Sequence, residues 1–286
     1  MSPSQSFFQH VRLSELRLRV RNLENVSRFY VDTLGMRALG GRDGQIELGY
    51  SQDVPALVVL VESANAPLRP RDAAGLFHVA FLHPNRASLG RAARRLVDLE
   101  VPFGGGDHGV SEALYLADPE GNGIELYADR PAEEWPESST GEVAMYTEEV
   151  DVAGILKAGE GEPGGGPEGV RIGHIHLSVA DLPGAEQVLA RGLGFSVRQR
   201  NYPGALFFGR DGYHHHFGAN TWRSRRAVPA GSLGLDRFTL AMSPCPEPRE
   251  LSSTMRQLGA FTESEGIGYT DLRTSDGIGI RVTSLD

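Results

Sequence analysis

The sequence predicts an α+β fold built from four tandem strand–helix–strands units, because one pattern recurs along the chain. The segments 13–35 and 172–194 align without a gap, and their apolar positions and final glycine coincide. Each begins with the alternation of a half-buried strand and continues with the apolar spacing of an amphipathic helix. The strand pattern returns at 76–81 and 235–240, each time ahead of a helix-like stretch. Such internal repetition is a direct guide to architecture.

The repeat divides the chain into two halves, each long enough to bury its own core. The predicted bounds are residues 1–135 for the first half, with units at 13–63 and 74–130; residues 136–170 for a linker; and residues 171–286 for the second half, with units at 171–222 and 233–286. The linker ends in GEGEPGGGPEG, a composition typical of a flexible segment. Residues 143–156 contain apolar side chains, and we expect them to pack on the first half.

Composition excludes several classes of function. The 286 residues carry a net charge of −9 without a concentrated basic stripe, so a nucleic-acid partner is not expected. No apolar run approaches the roughly 20 residues of a membrane helix, and the N-terminus lacks the pattern of a signal peptide. A single cysteine, Cys245, precludes an internal disulfide and fits a reducing compartment. We therefore expect a cytoplasmic protein.

Three motifs indicate a family resemblance. They are DHGVSEALYLADPEGNGIELYADRP at 107–131, IGHIHLSVADL at 172–182 and GYHHHFGANTW at 212–222. With the four tandem units, they resemble the vicinal oxygen chelate superfamily: glyoxalase I, fosfomycin and bleomycin resistance proteins, and extradiol ring-cleaving dioxygenases. The resemblance covers nearly the whole chain and is closest to the bacterial catechol 2,3-dioxygenases of the CatE type. It implies four βαβββ modules that form two curled mixed-sheet barrels.

The resemblance also implies where a metal binds, at the start of the first strand and on the last strand of each unit. Carried onto this chain, units two and three supply His78, Glu125 and His174, with His216 as a candidate fourth ligand. Two imidazoles and one carboxylate on one face suit Fe(II), which we expect, with Mn(II), Zn(II) or Ni(II) as alternatives. The opposite face is then open to substrate and O2.

The same positions in units one and four predict how the units pair. They carry Glu15, Arg237 and Arg281, and an arginine stays protonated and cannot ligate a metal. We therefore expect units two and three to form the metal-bearing cavity, and units one and four a second cavity closed by Glu15 paired with either arginine. This departs from classical extradiol dioxygenases, which take their ligands from units three and four. If unit one instead pairs with unit two, the best ligand set is Glu15, His78 and Glu125.

The histidine triplet at 214–216 is the first source of candidate catalytic residues. In a strand, His214 and His216 would share a face toward the substrate, and His215 would point the other way. Histidine suits acid–base work because its ordinary pKa lies near neutrality.

Further catalytic candidates are Tyr115, His176 and His108. His176 shares the strand face of His174 and is expected to orient the substrate. Tyr115 precedes Glu125 at a spacing similar to that of a substrate-contacting tyrosine in extradiol dioxygenases. His108 lies in a loop that can reach the cavity mouth, where Asp107 would hold its tautomer. Asn220 and Trp222 are expected to shape the pocket wall.

The resemblance therefore predicts an extradiol dioxygenase of aromatic catabolism, whose partners are a small aromatic diol and O2. A metal-dependent isomerase or lyase of the glyoxalase type is an alternative, and it would need His216 as a fourth protein ligand. A metal-free protein that sequesters a drug, as in bleomycin resistance, is another. A homo-oligomer is left open. Because fold and function separate easily in such superfamilies, the choice depends on the site.

Overall fold

The computed structural model describes residues 7–52, 55–139, 142–160 and 169–285, and within them the predicted repeat is visible as four modules. Module one comprises β1 (Val11–Val20), α1 (Leu23–Asp32), β2 (Arg37–Arg42), β3 (Gln45–Gly49) and β4 (Val58–Glu62). Module two comprises β5 (Gly75–Leu82), α2 (Arg86–Asp98), β6 (Gly104–Asp107), β7 (Ser111–Ala117) and β8 (Gly123–Asp129).

A connecting segment and two further modules complete the chain. The connection contains a 3-10 turn (Ala132–Glu134) and α3 (Val152–Ala158). Module three comprises β9 (Arg171–Ser178), α4 (Leu182–Glu186), a π-helical turn (Gln187–Gly192), β10 (Ser196–Gln199), β11 (Ala205–Gly209) and β12 (Phe217–Asn220). Module four comprises β13 (Gly234–Met242), α5 (Pro248–Gln257), β14 (Ala260–Gly266), β15 (Tyr269–Thr274) and β16 (Gly279–Ser284). Among the described residues, no helix has both the length and the apolar character needed to span a membrane.

The first strands of the modules pair across the connecting segment. β5 of module two runs antiparallel to β9 of module three, and β1 of module one runs antiparallel to β13 of module four. The expected pairing of units two with three and one with four is therefore confirmed. β1 also meets β9 at Leu13 and Ile172, so both halves belong to one mixed sheet. Its main path runs from β14 to β6 and stays unclosed, and the predicted α+β class is confirmed.

The connecting segment packs on module two, as expected, and also on module three. Val143 and Met145 lie in a buried cluster with Val110 of module two and Phe207 of module three. Part of the predicted linker, residues 161–168, falls outside the described residues, as does the N-terminal stretch 1–6, where no signal peptide is expected. The division of the chain into two sequence domains stays a prediction.

Ion pairs occupy the module one and four positions that correspond to the predicted metal ligands. Arg237 Nη2 lies 3.5 Å from Glu15 Oε1, which is the pairing expected from the sequence. Arg281 instead makes two 2.7 Å hydrogen bonds to Asp271. Glu15, Arg237 and Arg281 therefore each have a partner of opposite charge within the protein.

The DPEGN motif forms the turn between β7 and β8 that places Glu125. The Asp118 carboxylate accepts the N–H groups of Glu120 and Asn122, both at 2.9 Å, and Gly121 adopts a positive φ of 84°. Gly123 then allows β8 to approach β5 closely, because a Cβ there would lie 2.0 Å from Phe77 O. The motif therefore shapes the turn and the strand contact, in addition to supplying Glu125 as a ligand candidate.

Replacing Gly123 with alanine should destabilise the fold and shift the strand that carries His78, because the added methyl group meets backbone that cannot yield easily. We expect a loss of about 1–3 kcal/mol in the free energy of unfolding. Urea denaturation of Gly123→Ala and of Gly104→Ala measures it, since a Cβ at Gly104 meets nothing within 4 Å. Equal stability of the two variants would contradict the close approach of Gly123 to the Phe77 carbonyl oxygen.

Candidate metal centre

Three neighbouring strands bring the predicted ligands together. Ala80 on β5 is in register with His174 on β9 and with Glu125 on β8, so these two side chains flank it. His78 lies two residues before Ala80, on the same face of β5. Because Ala80 is small and fully buried, it leaves the space above it for the three longer side chains.

The three side chains converge on one point. His78 Nε2 lies 2.9 Å from Glu125 Oε2, His174 Nε2 lies 3.2 Å from the same oxygen, and the two nitrogens are 3.3 Å apart. Metal–ligand bonds of about 2.1 Å place neighbouring ligand atoms roughly 3.0 Å apart at octahedral angles and roughly 3.4 Å apart at tetrahedral angles. The donor types and spacings therefore fit a divalent transition metal.

The ionisation of these side chains also suits a cation. Burial alone would raise the pKa of Glu125, but its attraction to His174 and His78 holds that pKa well below the ordinary value. Burial lowers the pKa of His174, and the neighbouring Glu125 only partly offsets this effect. A carboxylate that stays ionised beside a neutral imidazole is the form that ligates metal.

The ligand set forms one end of a pocket with a volume of about 290 Å³. Five of the chain's nine histidines line it: His78, His108, His174, His176 and His215. The remaining lining, apart from Glu125, is aromatic, apolar or uncharged. A concave site with converging polar groups at one end is typical of small-molecule binding.

The histidine triplet is arranged differently from the sequence expectation. Residues 214–216 form a bend before β12 begins, so the two-residue alternation of a strand does not apply to them. His215 lines the pocket, with its ring centroid 4.2 Å from that of His174. The prediction that His214 and His216 share the substrate face, opposite to His215, is therefore wrong.

His216 points away from the predicted ligands. Its Nδ1 accepts the Arg210 N–H at 3.2 Å, and its Nε2 lies 3.3 Å from the Phe7 carbonyl oxygen. Burial, with the nearby His214, lowers its pKa to about 3. Among the described residues, the cluster able to hold a metal contains His78, Glu125 and His174 and does not include His216.

Tyr115, His176 and His108 all line the pocket. The Tyr115 hydroxyl lies 2.6 Å from His108 Nε2, and His108 Nδ1 lies 2.8 Å from the Tyr146 carbonyl oxygen. Since that carbonyl can only accept, Nδ1 carries the proton and Nε2 accepts from the Tyr115 hydroxyl. His108 is thus oriented by Tyr146.

The pocket wall also differs in part from the sequence expectation. Asp107, expected to hold the tautomer of His108, instead bonds Arg130 at 2.6 Å. Trp222 lines the pocket as expected, whereas Asn220 is buried behind it and accepts the Trp222 backbone N–H.

Sequence reasoning missed several members of the site. Asp129 ends β8 and holds His214, with 2.8 Å between its Oδ1 and His214 Nε2. Met145, Tyr146 and Thr147 come from the connecting segment and form a wall of the pocket. Asp129 lies in the same motif as Glu125, which is a usable signal, but no local pattern in the connecting segment indicates a pocket wall.

Comparison with known proteins places these features in a family. The model of the Glyoxalase/Bleomycin resistance protein/Dioxygenase superfamily matches residues 8–126. A catechol-2,3-dioxygenase of Bacillus subtilis (strain 168) is 40% identical over 252 residues, which are 86% of this chain and 87% of that protein. The chain belongs to this superfamily. Its membership confirms the resemblance drawn from the three motifs.

One further sequence relative and two solved structures are also similar to this superfamily member. A biphenyl-2,3-diol 1,2-dioxygenase of Rhodococcus globerulus is 29% identical over 134 residues, 45% of this chain and 68% of that protein. Glyoxalase I from Zea mays superposes with a TM-score of 0.59 at 14% identity, over 96% of this chain and 92% of that chain. A Bacillus subtilis crystal structure superposes with a TM-score of 0.67 at 11% identity, over 96% and 85% of the two chains. At these identities the two structures support the fold alone.

Alanine at His174 should weaken metal binding by about 100-fold or more, because one of three ligands is lost. Alanine at Glu15 should leave metal binding unchanged, because Glu15 pairs with Arg237 in the other half of the sheet. Titration of each metal-free variant with Mn(II), followed by calorimetry, measures the difference. Loss of metal in Glu15→Ala alone would overturn the assignment of the ligands to modules two and three.

Proposed function

We propose that this protein is a metal-dependent extradiol dioxygenase, which opens the ring of a catechol-type substrate with O2. The observation that carries the proposal is the convergence of His78, Glu125 and His174 at one end of an aromatic-lined pocket. The 40% identity to a catechol-2,3-dioxygenase across most of both chains supports the same activity.

The three side chains would hold Fe(II), with Mn(II), Zn(II) and Ni(II) as alternatives. A bound Fe(II) or another redox-active metal would supply Lewis acidity toward the two catechol oxygens and a route for electrons from the aromatic ring to O2. The three ligands lie on one side of the metal position, so the side that faces the pocket is left open for the catechol and O2. A two-histidine, one-carboxylate set of this kind is typical of Fe(II) oxygenases.

His215 is the residue best placed to accept a proton from the substrate. Its Nδ1 lies 2.8 Å from His214 Nδ1, and His214 Nε2 lies 2.8 Å from Asp129 Oδ1. With the Asp129 carboxylate accepting from His214 Nε2–H, His214 Nδ1 accepts from His215 Nδ1–H. His215 Nε2 is then left with a lone pair. Burial holds the pKa of His215 well below its usual value, so the ring is neutral in the free protein, and a proton on Nε2 would be stabilised through His214 by the Asp129 carboxylate.

Two further side chains can orient the substrate. His176 Nε2 is buried and has no hydrogen-bond partner among the described residues, so it is free to bond a substrate oxygen. The Tyr115 hydroxyl donates a hydrogen bond to His108 Nε2, which leaves its oxygen lone pairs as acceptors. Burial and the nearby Glu125 hold the pKa of Tyr115 well above its usual value, so it remains a neutral phenol.

The competing functions lack a supporting observation of this kind. An isomerase of the glyoxalase type would require a fourth protein ligand, and both His216 nitrogens lie against backbone groups instead. A metal-free drug-binding protein would have no use for a buried carboxylate between two imidazoles, which is costly to bury without a cation. The dioxygenase therefore accounts best for the arrangement.

Oxygen uptake is the direct test of the proposed activity. The protein is reconstituted with Fe(II) under anaerobic conditions, and catechol and then O2 are added. The mixture should consume one O2 for each catechol and produce a yellow ring-opened product. His174→Ala should abolish both signals, because its metal is lost. Absence of uptake with every catechol tried, despite one tightly bound iron for each chain, would contradict the proposal.

Replacing His215 with glutamine should lower kcat by about 10²–10⁴-fold while metal remains bound, because a proton acceptor is lost and no ligand is removed. Asp129→Asn should lower kcat by about tenfold or more. The asparagine amide can donate to His214 Nε2, which would reverse the tautomers of His214 and His215 and place a proton on His215 Nε2. Steady-state kinetics with metal analysis measures both, with the exposed Asp72→Asn as the control. An unchanged kcat in both His215→Gln and Asp129→Asn would show that His215 does not accept the substrate proton.

A further inference from the structure

The pocket lining that the structure describes offers no lysine or arginine to receive an acidic substituent. The chain has 28 lysines and arginines, yet within the described structure none of them lines this pocket. Among the described lining residues, Glu125 is the one acidic side chain. A carboxylate on the part of the ring away from the metal ligands would therefore lose its hydration without gaining a charged side-chain partner.

Aromatic rings continue outward from the ligand end of the pocket. The ring of His176 lies 5.1 Å from Phe77 and 5.5 Å from Trp222, and those two rings are 5.2 Å apart. Tyr202 continues the series, 6.3 Å from Trp222 and 5.6 Å from Phe207. A ring whose two oxygens meet the ligand end would direct its opposite edge toward these aromatic side chains.

A β-bulge places Phe77 among the aromatic rings at the mouth of the pocket. The register between β5 and β9 shifts between Leu76 and His78, so Phe77 is the extra residue and lines the pocket together with His78. Phe77, Tyr146 and Trp222 remain 37%, 39% and 40% exposed. Large apolar side chains left open at a pocket mouth gain contact when an apolar group covers them.

We propose that this pocket selects catechols whose ring carries an uncharged, apolar substituent over catechols whose ring carries a carboxylate. The inference rests on the proposed function and adds the substrate class. The residues that determine it are Phe77, Trp222 and Tyr202, which would contact the substituent while the ligand end holds the two ring oxygens.

Calorimetry under strict exclusion of O2 tests this selection without turnover. Fe(II)-loaded protein is titrated with catechol, 4-methylcatechol and 4-ethylcatechol, and Kd should fall about fourfold with each added carbon. The matched pair is 3,4-dihydroxybenzamide and 3,4-dihydroxybenzoate, which have the same shape and differ in charge. The neutral amide should bind at least about tenfold more tightly than the carboxylate.

Variants at the mouth assign the effect to its residues. Trp222→Ala should reduce the gain for each added carbon to less than about twofold, because it removes part of the apolar wall. Trp222→Arg should strengthen binding of the carboxylate about tenfold or more by supplying its missing partner. Phe261→Ala is the control, because Phe261 is a 52% exposed aromatic side chain outside this pocket.

The outcomes separate the two proposals. Tighter binding of 3,4-dihydroxybenzoate than of the amide, or no gain across the alkyl series, overturns the selection even when catechol is cleaved. The expected order of binding without O2 uptake supports the selection and overturns the dioxygenase activity. Failure of every catechol to bind overturns both.

Discussion

The antiparallel pairing of β5 with β9 is the contact on which the candidate site depends, because it joins ligands from two modules that are distant in sequence. Ala80 on β5 is in register with His174 across this pair and with Glu125 across the parallel pair to β8. Side chains alternate between the two faces of a sheet, so a slip by one residue would turn a ligand away from the others. The register of three strands therefore determines whether a metal centre exists.

The two halves of the sheet treat corresponding positions in opposite ways. In modules one and four, Glu15 meets Arg237, so the acidic side chain has a cationic partner within the protein. In modules two and three, Glu125 meets two histidines, and burial lowers the pKa of His174. A buried carboxylate without a permanent cation is costly, and a divalent metal would offset that cost. In one half of the repeat, an arginine of the protein therefore neutralises the carboxylate at the ligand position. In the other half, the carboxylate suits a metal ion.

The connecting segment contributes to the site as well as to the link between modules. Met145 and Tyr146 line the pocket, and the Gln199 side chain of module three donates to the Met145 carbonyl oxygen at 2.9 Å. Thr147 lies 3.1 Å from the Tyr202 hydroxyl. The same residues therefore hold modules two and three together and bound the space for the substrate. Changes in this segment are expected to act on substrate selection without touching the metal ligands.

The repeat predicted the α+β class and the four modules, because it is a local pattern of strands and helices. The three ligand candidates came from the family resemblance that the motifs indicate. The sequence also indicated the pairing of modules, since Arg237 and Arg281 cannot serve as ligands. The position of His215 in the pocket lining is visible only in the folded structure, because the alternation that predicted otherwise holds only inside a strand. The tertiary structure likewise decided the links from Asp129 to His215 and the aromatic mouth, which depend on contacts between distant segments that no local periodicity records.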